Sequence, residues 1–150
     1  MQMKVSQVMT GEVATLSPEQ TLEEAAKFLL EHKVSGVPVV KDSSVVGMLS
    51  EKDLLSLHLE PRPPRYLVLL GGIIYLDDVR EFQEQLAKTA ATRVEEVMTQ
   101  EVVTVDANAS LEEAARLILE RGINRIPVLE GGHLVGIVTR SDVLRGSVEQ

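Results

Sequence analysis

The sequence predicts an α+β protein built from two β-α-β-β-α units, related by a pseudo-twofold axis and packed sheet against sheet. The chain repeats itself: Val5 to Leu55 aligns with Val94 to Leu144 without a gap, at a constant offset of 89, and 20 of the 51 pairs are identical. Each copy alternates short β-branched runs with one stripe of apolar residues at helical spacing, the mark of mixed strands and helices. A unit of about 50 residues is too small to bury its apolar faces alone, so the copies are expected to pack on each other and leave clefts between them.

Residues 1–58 form the first repeat, 59–92 an inserted linker and 93–150 the second repeat. Each copy opens with an extended segment, Val13 to Leu16 and Val102 to Val105, that suits a short strand. A helix follows, and Thr21-Leu22-Glu23-Glu24 and Ser110-Leu111-Glu112-Glu113 both read as capping boxes. Leu22, Ala25, Ala26, Leu29 and Leu30 then make a buried stripe, matched by Leu111, Ala114, Ala115, Ile118 and Leu119. Gly122 supplies the second helix with a C-cap.

Two strand-like runs come next, Val37 to Val40 and Val45 to Leu49, joined by the turn Lys41-Asp42-Ser43-Ser44. Copy two repeats them as Ile126 to Leu129 and Leu134 to Val138, around Glu130-Gly131-Gly132-His133. Both read as hairpins. A last helix begins at Ser50 or Thr139, with Asp53 or Asp142 three residues on.

The composition bounds the function. With 150 residues and 44% of them apolar, the chain is expected to be one domain or two intimate halves. Cysteine is absent, which excludes disulfides, iron–sulfur clusters and thiolate metal sites. His32, His58 and His133 share no metal-binding spacing, so no metal site is expected. No charged-then-apolar leader opens the chain, and the expected location is cytoplasmic. The longest apolar stretch, Tyr66 to Leu76, has 11 residues broken by Gly71-Gly72, against about 20 for a bilayer-spanning helix, so no membrane partner is expected. With 23 acidic and 15 basic residues the net charge is −8, a field that repels nucleic acid.

Nothing assembles a catalytic site. The chain has no phosphate-binding Gly-x-x-x-x-Gly-Lys loop, no dinucleotide fingerprint, no cysteine nucleophile and no nucleophile elbow, so an enzyme is not expected.

The ordered motifs carry a resemblance. Val-Met-Thr at Val8 to Thr10 and Val97 to Thr99, Ser35-Gly36-Val37-Pro38-Val39 and Asn124-Arg125-Ile126-Pro127-Val128 are joined by a Gly-φ-x-Ser/Thr-x-x-Asp signature. That signature stands complete as Gly47 to Asp53 and as Gly136 to Asp142. The chain thus resembles a tandem pair of cystathionine-β-synthase (CBS) domains, known as a Bateman module. The resemblance implies a regulatory module that binds an adenine nucleotide (AMP, ADP or ATP, with S-adenosylmethionine as a further candidate) in two clefts, requires no cofactor, forms a homodimer and signals to a regulated protein. It also implies the site residues. One cleft combines Val34, Ser35, Gly36, Val37 and Pro38 with Thr139 and Asp142; the other combines Ile123, Asn124, Arg125, Ile126 and Pro127 with Ser50 and Asp53. The aspartates would hold ribose and the segments before each proline would hold the base.

Arg125 replaces Gly36 in the repeat and is expected to meet phosphate in the cleft of Thr139 and Asp142, with Arg140 beside it. The plainer alternative for Ser50/Asp53 and Thr139/Asp142 is helix capping, which is compatible with ribose binding. Met9 and Met98 are expected to pack as apolar residues. In the insert, Pro61 to Pro64 reads as a rigid extended piece, Tyr66 to Leu70 and Ile73 to Leu76 as apolar runs, and Asp77 to Ala91 as an amphipathic helix bearing Val79, Phe82 and Leu86. The insert either covers an apolar interface within the chain or forms a dimer or docking contact, and Tyr66 and Tyr75 are candidates to stack on a base. Two rival functions remain from other classes: a structural or interaction dimer with vestigial clefts, and a slow nucleotide hydrolase.

Overall fold

The chain runs through α1 (Leu22–His32), β1 (Gly36–Lys41), β2 (Ser44–Ser50), α2 (Glu51–Ser56), β3 (Tyr66–Leu69), β4 (Gly72–Tyr75), α3 (Val94–Val97), β5 (Val105–Asp106), α4 (Leu111–Arg121), β6 (Arg125–Glu130), β7 (His133–Thr139) and α5 (Arg140–Glu149). This is a computed structural model, and it describes residues 2–56, 66–69, 72–75 and 92–149. Strands and helices mix throughout, as an α+β fold requires. Among the described residues, no helix is long and apolar enough to cross a membrane.

Both hairpins form where the turn chemistry placed them. β1 pairs antiparallel with β2, and β6 with β7, each with a register shift at the matched positions Val39/Val40 and Val128/Leu129. Their two-residue turns have positive φ at both central positions: 51° and 66° at Asp42 and Ser43, 59° and 81° at Gly131 and Gly132. Such turns follow the right-handed twist of the strands.

The helices start on their own side chains. Thr21 Oγ1 accepts from the Glu24 N–H at 3.2 Å while Glu24 Oε1 accepts from the Thr21 N–H at 3.2 Å, a complete capping box. At α4 the structure gives the hydroxyl half, with Ser110 Oγ accepting from the Glu113 N–H at 3.2 Å. Leu22, Ala25 and Leu29 are buried, as are Leu111, Ala114 and Ile118. Leu30 and Leu119 correct the expected stripe, being 77% and 79% exposed. Each lies one residue past the buried face, about 100° round the helix. Both helices end left-handed, at Lys33 (φ 54°) and Gly122 (φ 62°).

The expected opening strands are shorter than their β-branched content suggested. In the first copy Leu16 alone bridges β1, its N–H donating to Pro38 O at 3.1 Å and its O accepting from the Val40 N–H at 2.8 Å. In the second, Val105–Asp106 pairs parallel with Val128–Leu129. The residues ahead of these points, Val13 and Ala14 or Val102 and Val103, line cavities instead.

Between the repeats, β3 and β4 form a third hairpin with Tyr66 opposite Tyr75 and Leu69 opposite Gly72. Val68 is exposed there. The Pro61–Pro64 piece, the Asp77–Ala91 helix and His58 lie outside the described residues.

The opening arms are exchanged between the repeats. Thr10 bonds to β7 in both directions, by its N–H to Ile137 O (2.8 Å) and by its O from the Ile137 N–H (3.0 Å). Thr99 does the same with Met48 on β2, at 2.9 and 3.0 Å. Val5, fully buried, belongs to the core of β5–β7, α4 and α5, with Met3, Val8 and Met9 packed on it. Val94, also fully buried, belongs to the core of α1, β1 and β2, with Val97 and Met98 packed on it. Two bodies result. The first contains residues 16–56 and the arm 92–99; the second contains the arm 3–10 and residues 105–149.

Candidate functional site

The glycine that opens each signature motif lets the arms in. A Cβ on Gly47 would lie against Met98 Sδ and 2.8 Å from Met98 Cγ; one on Gly136 would lie against Met9 Sδ and 2.9 Å from Met9 Cγ. Both methionines pack as apolar residues, on opposite bodies from their own repeats. With the arms seated, cavities open between the bodies, and two of them lie at the signature motifs.

The larger cavity, about 680 Å³, is lined by Val34, Ser35, Gly36 and Val37 from the first body and by Asn124, Arg125, Thr139, Arg140 and Ser141 from the second. Thr10, Glu12, Val13, Ala14, His32, Lys33 and Ile137 complete its wall. The smaller, about 250 Å³, brings Ser50, Lys52 and Asp53 opposite Ile123, Asn124 and Arg125, with Met48, Glu101, Val102 and Val103 beside them. The segments and helix starts that the sequence paired across the repeats therefore face each other. Pro38, Ile126 and Pro127 are buried behind these walls and do not line them.

The two segments are pinned to the helices they accompany. Ser35 O accepts from the Glu51 N–H at 2.8 Å, and Asn124 O accepts from the Arg140 N–H at 2.9 Å. Gly36 stands opposite Ser50 in the β1–β2 register, and Arg125 opposite Thr139 in β6–β7. The Ser35–Gly36 and Asn124–Arg125 segments and the hydroxyls of Ser50 and Thr139 are thus fixed together within each body.

The aspartates differ in their surroundings. Asp142 is 6% exposed and does not line the larger cavity. Its Oδ2 accepts from the Thr139 N–H at 2.9 Å, Thr139 Oγ1 accepts from the Asp142 N–H at 3.2 Å, and its Oδ1 pairs with Arg145 Nη2 at 2.6 Å. Asp53 lines the smaller cavity, and its Oδ2 accepts from the Ser50 N–H at 3.0 Å and the Ser50 hydroxyl at 3.3 Å. Both carboxylates cap their helices.

Arg125 crosses between the bodies. Its Nη2 donates to Ser35 Oγ, and its guanidinium covers the bare Cα of Gly36. It lines both cavities. Burial pushes its ordinary pKa down, and the Glu51 carboxylate pulls it partly back; an arginine stays charged nonetheless. His32 is exposed and stacks on Phe28 with ring centroids 4.0 Å apart, at the rim of the larger cavity. Lys33 and Glu12 lack any motif and were not singled out by the sequence. Only the mismatch of Lys33 with Gly122 in the repeat marks it.

A family model described as the CBS domain matches residues 5–60 and again residues 94–149. The chain belongs to the CBS-domain family. As a CBS pair it is similar to the CBS domain-containing protein YhcV of Bacillus subtilis, 32% identical over 139 residues that cover 93% of this chain and 81% of that one. It is similar also to the chloroplastic CBSX2 of Arabidopsis thaliana, 33% identical over 89% of this chain and 58% of the relative. A crystal structure of CBSX2 in complex with AMP superimposes with a TM-score of 0.73 at 31% identity, covering 97% of this chain and 96% of that one. The CBS domain of a membrane protein from Sphaerobacter thermophilus gives a TM-score of 0.70 at 28% identity, covering 96% and 87%.

Proposed function

We propose that this CBS pair is a regulatory module that binds an adenine nucleotide between its two bodies and signals to a separate protein by a change in their orientation. The observation that carries this reading is the larger cavity, because both bodies wall it and a ligand seated there bridges them. Its volume of about 680 Å³ lies in the range of small-ligand sites. A relative that superimposes over nearly the whole chain was crystallised with AMP.

In this reading the Val34–Val37 segment meets the base. Thr139 lies beside the sugar, and Asp142 exchanges Arg145 for the ribose hydroxyls. Ile123–Arg125 with Ser50 and Asp53 do the same in the smaller cavity. The ligand is AMP, ADP or ATP, with S-adenosylmethionine a further candidate; it is bound and not turned over, and no cofactor takes part. Bridging shifts the relative populations of two orientations by the difference in the ligand's affinity for them. Coupling of this kind is typically about 1–3 kcal/mol.

The module acts as a cytoplasmic homodimer. Leu30 and Leu119, and likewise Leu55 and Leu144, occupy matched positions of the repeat and are exposed, which gives both bodies an apolar helix face. The rival reading, a scaffold with vestigial clefts, draws on the pairing of Asp142 with Arg145. Isothermal titration of nucleotide-free protein with AMP, ADP, ATP and S-adenosylmethionine, repeated on Asp142→Ala, separates the two. Micromolar binding that weakens in the variant supports the sensor; absence of heat from all four in folded protein leaves the scaffold.

A further inference from the structure

The repeat is imperfect at three positions that converge on one cavity. Lys33 stands where the second copy has Gly122, Arg125 where the first has Gly36, and Arg140 where the first has Glu51. All three cations line the larger cavity, against the single carboxylate of Glu12 among the described lining residues. The smaller cavity presents Lys52 and Arg125 against Asp53 and Glu101. In a chain of net charge −8, the charge that favours a polyanion is therefore gathered at one of two clefts that the duplicated sequence began as equals.

Lys33 adds a second mark. Its φ is 54°, a left-handed conformation that costs a side chain energy and that the matched Gly122 adopts freely at 62°. Glycine is thus the residue this backbone favours, and the chain carries lysine there, at the cavity wall. Arg140, on the first turn of α5, faces the same space from the other body, and Arg125 lies between them at Ser35. Cations from both bodies converge where a chain of phosphates would need them.

We propose that the larger cavity selects a nucleotide with two or three phosphates over the monophosphate, with Lys33, Arg125 and Arg140 engaging the phosphate chain, while the smaller cavity takes at most a monophosphate or a nucleoside. This rests on the nucleotide reading above and specifies the ligand of that site. The cations of both bodies are drawn toward one polyanion, so the phosphate count of the ligand sets how firmly the bodies are held together.

The test is titration of adenosine, AMP, ADP, ATP and inorganic tripolyphosphate in magnesium-free buffer, on the natural chain and on Lys33→Gly and Arg140→Gln. Lys33→Gly removes the charge while relieving the backbone, and Arg140→Gln keeps the N–H that bonds Asn124 O, so both variants should fold. The expected result is ATP binding about tenfold tighter than AMP, with each variant weakening ATP about fivefold and AMP by less than about twofold. AMP binding as tightly as ATP, or variants that weaken both alike, overturns the phosphate selection and leaves the nucleotide reading standing. Tripolyphosphate binding without any adenosine ligand overturns both.

Discussion

Gly36 and Arg125 are the same position of the repeat, and the guanidinium of one lies over the bare Cα of the other. A Cβ on Gly36 would come within 3.1 Å of Arg125 Cζ and of Leu49 O. Two arginines cannot share this space, and two glycines would leave it empty. The pseudo-twofold symmetry is therefore broken at the point where the cavities meet, and one side chain contributes to both.

Val94 tests the exchange of the arms. By sequence it opens the second repeat, yet it is fully buried in the core of α1, β1 and β2. Val94→Ala should destabilise the protein by about 1–3 kcal/mol. Hydrogen exchange should report lost protection in β1 and β2 ahead of β6 and β7. Loss confined to β6 and β7 would contradict the exchange.

Gly47→Ala and Gly136→Ala should each cost about 1–3 kcal/mol, because the new methyl meets a methionine and, at 3.1 and 2.9 Å, the carbonyl of Thr99 or Thr10. Shortening the methionine relieves only part of the clash. Denaturant melts of Gly47→Ala with and without Met98→Ala should show a coupling that keeps the pair from adding.

Ser43 sits left-handed at φ 66°, where the second hairpin uses Gly132. Ser43→Gly should stabilise by about 0.5–1 kcal/mol and raise Tm by about 1–4 °C in calorimetry. A fall in Tm would mean that the serine makes a compensating contact.

In the proposed site Arg145 would compete with ribose for Asp142. Its pair with Oδ1 is 2.6 Å long and the arginine end is more than half exposed, at 58%. Removing it by Arg145→Ala should tighten nucleotide binding about two- to fivefold, the scale of one exposed ion pair. Unchanged or weaker binding in titration would count against a ribose contact at Asp142.

Leu30→Glu combined with Leu119→Glu should shift a homodimer toward monomer in sedimentation velocity without lowering Tm, since both side chains are exposed in the single chain. An unaltered sedimentation coefficient would move the dimer contact elsewhere.

Much of this was legible in the chain because it is local. The turn at Asp42-Ser43, the cap at Thr21 and the left-handed stop at Gly122 are each set by a few neighbouring residues. The pairing of the Val34–Val37 segment with Thr139 followed from the resemblance, and the two meet at one cavity. The exchange of arms was not legible, since Val5 and Val94 are identical and either core accepts either valine. Leu30 misled the stripe because one residue of phase moves a side chain from core to surface. Lys33 escaped notice because its position matters through the backbone shape at the helix end and not through any motif.

The swapped arms also decide how the molecule carries force. Residues 3–10 and α5 are both fastened to the second body, and they touch there: a Cβ on Gly146 would lie 2.8 Å from Val8 Cγ1 and 3.4 Å from Met3 Sδ. A pull on either end of the described chain loads the second body first, and the first body feels it through the chain segments that cross between the bodies at residues 10–16 and 99–105, through contacts such as Arg125–Ser35, and through whatever fills the clefts. The second body is the handle and the first is the lever.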